Sequence, residues 1–221
     1  MSIVLIMVDY NREKENDYWD NYYKSKTEMF PNSDFSKFVL NHLKKQSTLI
    51  DIGCGDGRDS FFFSNNKIIT KGVDFSQETI KKNLLLSNKY LSFEHLDLKN
   101  INNLNQSFDY AYCRFIMHSI TESVENTLLK WLKSSIHNSI FFETRVLDKS
   151  KNTKNLNHYR RFFTENEFIE KLSTFGFNIN YLETSYKFSK YNKLYNVKDL
   201  DFDPLVLRVI IQQNPNVELH T

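Results

Sequence analysis

The stretch that decides the fold is LIDIGCGDGRDS, residues 49–60. It holds three of the five glycines of the 221-residue chain, at positions 53, 55 and 57, and a carboxylate, Asp51, two residues before the first of them. The apolar run before the loop predicts a buried strand, and RDSFFFSN after it predicts the start of a helix. A glycine-rich turn between a strand and a helix lets a ligand come close to the backbone, because no side chain excludes it.

The spacing of the glycines differs from that of a dinucleotide-binding loop. That loop reads G-x-G-x-x-G, and its third glycine would fall at position 58, where this chain has Arg58. The pattern here is D-x-G-x-G-x-G, and a carboxylate at position 51 would repel a pyrophosphate bound at the helix N-terminus. The same carboxylate attracts an ammonium group. The loop therefore predicts a ligand that is cationic at one end.

Two further acidic residues follow the next two predicted strands. Asp74 ends the second strand, where an acidic side chain binds the hydroxyls of a ribose, and Phe75 beside it is suited to lie against an adenine face. Asp97 ends the third strand, within reach of an exocyclic amine on the same base. Because the carboxyl ends of parallel strands meet at one edge of the sheet, the three aspartates are expected to line one crevice. A ligand with an ammonium group, ribose hydroxyls and an adenine amine matches all three. S-adenosylmethionine (SAM) is such a ligand.

With these residues in this order, the chain resembles the class I SAM-dependent methyltransferases from about position 17 to its end. The resemblance implies that Asp51 lies near the methionine end of the cofactor, Asp74 at the ribose and Asp97 at the adenine. The other cofactor contacts that it implies are Tyr22, Gly53, Cys54, Gly55, Arg58, Phe75, Ser76, Leu98 and Arg114. Cys54 is interpreted as a small residue of the turn and not as a nucleophile, since no partner base is identifiable beside it.

The rest of the chain alternates strands with helices, which predicts a parallel sheet with helices on both faces. A helix with a capping box, Thr164 and Glu167, ends at Gly176, and the two strand-like runs after it predict an antiparallel hairpin. The fold class is therefore α/β, a Rossmann-like, mostly parallel sheet of seven strands. The predicted strands are 47–52, 68–75, 90–98, 108–115, 139–146, 177–188 and 203–212, and the bounded helices are 16–28, 35–45, 77–87 and 121–133.

Length and composition favour one domain over residues 1–221, with a helical lid segment at about 1–46 and a catalytic core at 47–221. A net charge of +2 implies no polyanionic partner, so we expect no nucleic acid. The first eight residues are apolar but too short to span a membrane, so no membrane partner is expected. Two cysteines, Cys54 and Cys113, indicate a reducing compartment and a cytoplasmic protein. The oligomeric state is not predicted.

The segment CRFIMHSI, residues 113–120, lies opposite the transferred methyl group in the family that the chain resembles. The Asp/Asn-Pro-Pro-aromatic run of amino-methyltransferases and the acidic metal ligands of catechol-type enzymes are missing here, so neither chemistry and no metal is predicted. Cationic residues are present instead, and arginines suit phosphate or carboxylate groups. The side chains predicted to bind the acceptor are Trp19, Arg114, Arg145, His158, Arg160 and Arg161. The alternative is that several of the arginines are solvated loop charges.

Three residues are predicted to act in catalysis. His118 is the candidate general base and Glu143 the second candidate, whereas an acceptor that is already anionic would need no base. One of the tyrosine hydroxyls near the N-terminus is expected to face the acceptor, and Tyr23 is named as the third catalytic residue. Trp19, Tyr22 and Tyr23 resemble the lid helix of small-molecule methyltransferases, and the alternative is a helix that simply packs on the sheet.

Short motifs, including DYWDNYYKS and HYRRF, are similar to a bacterial subgroup from surface-polysaccharide gene clusters, in particular enzymes of O-methyl phosphoramidate capsule decoration. The resulting hypothesis is methyl transfer to an oxygen of a small phosphorylated or nucleotide-linked acceptor. The alternatives are a nicotinamide-dependent oxidoreductase, against which Asp51 and Arg58 argue, and a non-catalytic SAM-binding subunit. A nucleic-acid methyltransferase is disfavoured, because no lysine-rich stripe with interleaved aromatics is present.

Overall fold

The computed structural model of the chain describes residues 11–25, 29–148, 159–188 and 204–213. Seven strands in them form one sheet of order β3-β2-β1-β4-β5-β7-β6. The strands are β1 (Thr48–Ile52), β2 (Ile69–Asp74), β3 (Leu91–His95), β4 (Tyr110–Arg114), β5 (Ser139–Arg145), β6 (Phe177–Ser185) and β7 (Val206–Gln213). The helices are α1 (Arg12–Lys24), α2 (Asp34–Leu40), α3 (Arg58–Asn65), α4 (Gln77–Asn83), α5 (Glu122–Ser135) and α6 (Glu165–Thr174).

The predicted fold class is confirmed. Strands β1 to β5 pair in parallel, and β7 pairs antiparallel with both β5 and β6. The sequence predicts the β6–β7 hairpin but not its order, in which β7 lies inside the sheet and β6 forms the edge. The side chains of β7 are accordingly buried over six consecutive residues, as expected for a strand that is covered on both faces.

Several helix boundaries differ from the predicted ones for local reasons. Helix α1 begins before position 16, because the Asn11 side chain accepts the Lys14 N–H at 3.1 Å and caps the helix. Its predicted end at position 28 lies outside the described residues. Helix α2 ends at Leu40, and tighter i→i+3 bonds continue to Leu43. The capping box at the start of α6 is present as predicted.

Two apolar clusters cover the faces of the sheet. Alternate residues of β1 show this, because Leu49 packs with Phe63 on one face, whereas Ile50 and Ile52 pack with Leu128 on the other. With both faces covered, polar side chains at the carboxyl ends of the strands form the rim on which the candidate site is built. Among the described residues, no helix combines the length and apolar character needed to cross a membrane.

Candidate functional site

A cavity of about 800 Å³ lies at the carboxyl ends of β1 to β5. Helix α1 and the loops after the strands form the rest of its wall. The residues predicted from sequence that line it are Trp19, Tyr22, Tyr23, Asp51, Gly53, Cys54, Gly55, Arg58, Asp74, Phe75, Asp97, Leu98, Arg114, His118, Arg145 and Arg160. The predicted cofactor residues, the lid aromatics and part of the predicted acceptor wall therefore surround one space.

The glycine loop is held tightly against both β2 and α1. The Gly55 N–H donates to Asp74 Oδ2 at 2.8 Å, and Asn83 Nδ2 donates to the Gly55 carbonyl at 2.8 Å. Gly55 has a φ of +53°, and a Cβ placed on it would collide with the Tyr23 hydroxyl. The close neighbour that excludes a side chain in this structure is therefore a residue of α1.

Tyr23 is placed differently from its predicted role. The prediction has its hydroxyl facing the methyl acceptor, whereas the structure places that hydroxyl against the glycine loop, next to Gly55. Burial raises the pKa of Tyr23 well above its usual value, and the carboxylates of Asp74 and Asp56 raise it further. The hydroxyl therefore keeps its proton at neutral pH.

The three predicted cofactor carboxyl groups have different environments. Asp51 is 2% exposed and accepts a hydrogen bond of 2.5 Å from the Ser60 hydroxyl. Burial raises the pKa of Asp51 to about 8, although the Ser60 bond and the charge of Arg114 lower it. Asp74 accepts the backbone N–H groups of Gly55 and Ser76, both at 2.8 Å, while Asp97 accepts the Lys99 N–H at 3.1 Å.

Charge is divided along the rim of the sheet. Asp97 follows β3, Asp74 ends β2 and Asp51 is the second-last residue of β1. These three strands are neighbours in the sheet. The next two strands, β4 and β5, end at Arg114 and Arg145. Because β1 and β4 pair side by side, the acidic part of the rim meets the basic part within the same cavity. Such a site suits a cationic ligand on one side and an anionic ligand on the other.

Phe115 organises the basic part of the rim, and the sequence analysis did not identify it. Its φ is +58°, a costly conformation for a bulky side chain and one that is concentrated at functional sites. The guanidinium of Arg114 lies 4.3 Å from the centre of its ring and that of Arg145 5.5 Å. The His118 ring packs edge-on against it at 5.7 Å. No pattern in the sequence signals the positive φ.

Glu143 is not a cavity residue, contrary to its prediction as the second candidate base. It is 1% exposed, and its oxygens accept hydrogen bonds from Arg114 Nε at 2.8 Å and Arg208 Nε at 2.7 Å. With each oxygen bonded to a guanidinium, this carboxylate is a structural counter-charge. It fixes the position of Arg114, which does line the cavity.

Arg161 was predicted to bind the acceptor, but it does not line the main cavity. Its Nη2 lies 2.5 Å from Glu125 Oε1 and 3.4 Å from the Met117 carbonyl oxygen. It lines a separate cavity of about 420 Å³ beside α5 and α6. Its neighbour Arg160 lines the main cavity, and His158 lies outside the described residues.

Ser76 also lies outside the lining of the main cavity. Its hydroxyl caps α4 by accepting the Thr79 N–H at 3.2 Å, and it donates to the carboxylate of Asp20 on α1. Ser76 therefore fastens α1 to the core. The Lys82 ammonium adds a second tie by donating to the Tyr23 carbonyl oxygen at 3.0 Å.

A buried polar cluster on the cavity wall was missed by the sequence analysis. Asp59 accepts the Ser33 N–H at 2.7 Å, the Ser33 hydroxyl at 2.8 Å and the Tyr112 hydroxyl at 2.8 Å. Ser33 is also the N-cap of α2, so this cluster joins α2, α3 and β4. A carboxylate in the first turn of α3 is a weak signal on its own, because helix starts commonly carry one.

The chain is similar to known proteins in part of its sequence and in its fold. Residues 50–136 match the model of a family described as "Methyltransferase domain", and this span runs from β1 to the end of α5. No curated protein sequence matches the chain. A SAM-dependent methyltransferase from Anabaena variabilis ATCC 29413 has a similar structure, with a TM-score of 0.70 and 16% identity over 97% of this chain and 99% of that one.

Two other solved structures are similar over most of their length. The [4+2]-cyclase SpnF has a TM-score of 0.71 and 12% identity, covering 90% of this chain and 93% of that one. A methyltransferase in complex with the Trm112 activator of Haloferax volcanii has a TM-score of 0.66 and 13% identity, covering 92% and 98%. The chain has the methyltransferase fold. SAM is the cofactor that the matched domain implies.

The residues of this methyltransferase fold meet the requirements of SAM. Gly53 and Gly55 of the glycine loop line the cavity, and three carboxyl groups lie in the same cavity at the carboxyl ends of successive strands. The ammonium and sulfonium charges of SAM favour the ionised form of a buried carboxyl such as Asp51. Each carboxylate oxygen has two lone pairs, so Asp74 can accept ribose hydroxyls in addition to its two backbone bonds.

The raised pKa of Asp51 predicts that stability falls with pH in the absence of ligand. An unfolded aspartate has a pKa of about 3.9, so between that value and about 8 the folded chain holds a proton that the unfolded chain has lost. The free energy of unfolding should therefore decrease across this window, by roughly 5 kcal/mol. Urea denaturation at several pH values measures it. In Asp51→Asn this decrease with pH should be missing. If the free energy of unfolding changed with pH in the same way in both proteins, the prediction would be contradicted.

Proposed function

We propose that the protein transfers a methyl group from SAM to an oxygen of a small anionic acceptor. The single observation that carries this proposal is the divided charge of one cavity, with carboxyl groups at the carboxyl ends of β1 to β3 and arginines at those of β4 and β5. The first half complements a cationic cofactor, and the second half complements an anion. The cavity of about 800 Å³ lies at the upper end of the range for ligand sites, which leaves room for a cofactor and a small second ligand.

In this proposal the cofactor is held by the acidic part of the rim. Asp51 lies at its ammonium end, Asp74 binds the ribose hydroxyls, and Asp97 binds the adenine amine between Phe75 and Leu98. Bound SAM supplies a methyl group on a positively charged sulfur, which a nucleophile displaces. Further contacts from Gly53, Cys54, Arg58, Arg114 and Tyr22 are proposed from the resemblance and from their place on the cavity wall.

The acceptor is held in this proposal by the basic part of the rim. Arg114, Arg145 and Arg160 are its cations, because all three line this part of the cavity. Trp19 on α1 covers the same cavity and supplies an aromatic face. The protein then accelerates transfer by aligning the two ligands and by excluding water beneath α1.

The domain organisation and the biological setting are also proposals. We assign residues 1–46 to a lid and residues 47–221 to the catalytic core, since α1 covers the cavity and is fastened by polar ties at Ser76 and Lys82. Modification of a capsular polysaccharide, with a phosphoramidate intermediate as acceptor, rests on the motif resemblance. A cytoplasmic location follows from that setting. The complex with an activator among the similar structures makes a protein partner a point to examine by size-exclusion chromatography.

A cyclase among the similar structures shows that this fold also carries reactions other than methyl transfer. Turnover therefore decides between a methyltransferase, a non-methylating enzyme and a SAM-binding subunit. The assay is formation of S-adenosylhomocysteine from SAM with a panel of phosphorylated and nucleotide-linked acceptors, each paired with its neutral analogue. Product with the anionic member of a pair only would support the proposal. Product with the neutral members alone would contradict the anionic acceptor.

The cofactor half is tested by Asp74→Ala. The lost carboxylate bonds to a buried ribose are worth roughly 1.5–3 kcal/mol, so SAM affinity should fall by about ten- to a hundredfold. Calorimetry measures the affinity, and Glu78→Ala is the matched control because it removes a carboxylate from α4 outside the cavity. Equal SAM affinity in wild type and Asp74→Ala would exclude Asp74 from the site. NADH, titrated in the same way, is expected not to bind.

A further inference from the structure

The nitrogen atoms of His118 are not equivalent in this structure. The backbone N–H of Arg145 donates to His118 Nδ1 at 3.3 Å, and the Thr144 hydroxyl lies 3.1 Å from the same nitrogen. A backbone amide is always a donor, so Nδ1 must present its lone pair to it. A neutral imidazole with an acceptor at Nδ1 carries its proton on Nε2. The fold therefore selects the Nε2–H tautomer.

The surroundings of His118 hold the ring in place. The residue is 3% exposed, and its carbonyl oxygen accepts the Arg161 N–H at 2.8 Å. Its ring contacts Phe115, the ring over which the guanidinium groups of Arg114 and Arg145 lie. The ring therefore lies in the cationic part of the cavity wall.

We propose that His118 is a hydrogen-bond donor to the anionic group of the acceptor and not the general base of the reaction. This inference rests on the proposed function, because it requires the acceptor to occupy the basic part of the cavity that His118 lines. A general base needs a lone pair directed at the acceptor, and the lone pair of this ring is bonded to the main chain of β5. An N–H donor beside the arginines complements an oxyanion.

Two substitutions separate a donor from a base. In His118→Gln the side-chain amide places an N–H near the position of Nε2, but an amide takes up no proton at neutral pH. In His118→Ala both functions are lost. If His118 donates, the glutamine variant keeps acceptor binding and turnover while the alanine variant does not. If His118 is the base, both variants lose turnover alike.

The tautomer is read directly from side-chain ¹⁵N resonances of the full-length, labelled protein at neutral pH. The chain has six histidines, and the signal that disappears in His118→Gln assigns the residue. We expect a protonated Nε2 and an unprotonated Nδ1. A proton on Nδ1, or an imidazolium at neutral pH, would overturn the inference.

The donor role is tested with inorganic phosphate as the probe, titrated at millimolar concentrations into protein saturated with S-adenosylhomocysteine. His118→Ala should weaken phosphate binding about tenfold, the equivalent of one charge-assisted hydrogen bond, and His118→Gln should stay within about threefold of wild type. Equal phosphate affinity in His118→Ala, or no binding by wild type, would overturn the donor role. Failure to bind SAM or S-adenosylhomocysteine would instead refute the proposed function, and the tautomer would still be readable.

Discussion

Replacement of Glu143 by alanine is expected to lower the free energy of unfolding by about 3–5 kcal/mol. The substitution leaves two guanidinium groups, those of Arg114 and Arg208, without the carboxylate that both of them contact. Arg208 is only 7% exposed, so its charge has little access to water as compensation. Breaking a buried ion pair from one side costs more than the pair itself contributes, because the remaining charge stays desolvated.

Urea denaturation measures the effect, and Glu170→Ala provides the control, since Glu170 is an exposed carboxylate on α6. The control is expected to stay within about 0.5 kcal/mol of wild type. The free energy of unfolding of Glu143→Gln should lie between those of Glu143→Ala and Glu170→Ala, because the amide keeps an oxygen for one arginine but loses the charge. If Glu143→Ala retained full stability and lost only turnover, a catalytic role for Glu143 would have to be reinstated.

The second large effect is expected for Gly55→Val, which should weaken SAM binding by more than about a hundredfold. The backbone of Gly55 has a φ of +53°, which a β-branched residue adopts only with strain, and a Cβ would displace the Tyr23 hydroxyl. Because the Gly55 N–H also bonds to Asp74, movement of the loop disturbs the proposed ribose site. Calorimetry with SAM measures the loss.

A matched control exists at Gly176, which has a φ of +74° but lies at the end of α6, away from the cavity. Gly176→Val should lose stability through the same backbone strain and keep its SAM affinity. The double variant Gly55→Ala with Tyr23→Phe separates the causes further. Recovery of binding by removal of the hydroxyl would assign the effect to Tyr23, and absence of recovery would assign it to the loop itself. Wild-type affinity in Gly55→Val would show that the loop is only a turn.

The sequence by itself determined the parallel part of the sheet and the acidic part of the site. The motif of Asp51 to Gly57 contains its own strand end, turn and helix start, so its geometry is local. Asp74 and Asp97 follow apolar runs that form neighbouring parallel strands, and parallel strands bring their carboxyl ends to one edge. Local spacing and one topological rule were therefore enough to place the three carboxyl groups in the same cavity.

The positions and contacts of the basic and catalytic candidates were decided only by the tertiary structure. Arg160 and Arg161 are adjacent and chemically identical, yet Arg161 turns to Glu125 on α5 and leaves the main cavity. Tyr23 reached the glycine loop because α1 docks there, and the tautomer of His118 depends on a backbone amide of β5.

Glu143 shows why the contacts of such residues could not be predicted from the sequence. Like Asp51, it lies in the carboxyl-terminal half of its strand. The insertion of β7 between β5 and β6 sets Arg208 opposite it in register, with Arg114 opposite it on the other side. That insertion joins segments separated by 65 residues along the chain, and the register between them follows from packing of the whole sheet. A charge whose partner comes from such a distance has its role fixed by the fold and not by its neighbours in sequence.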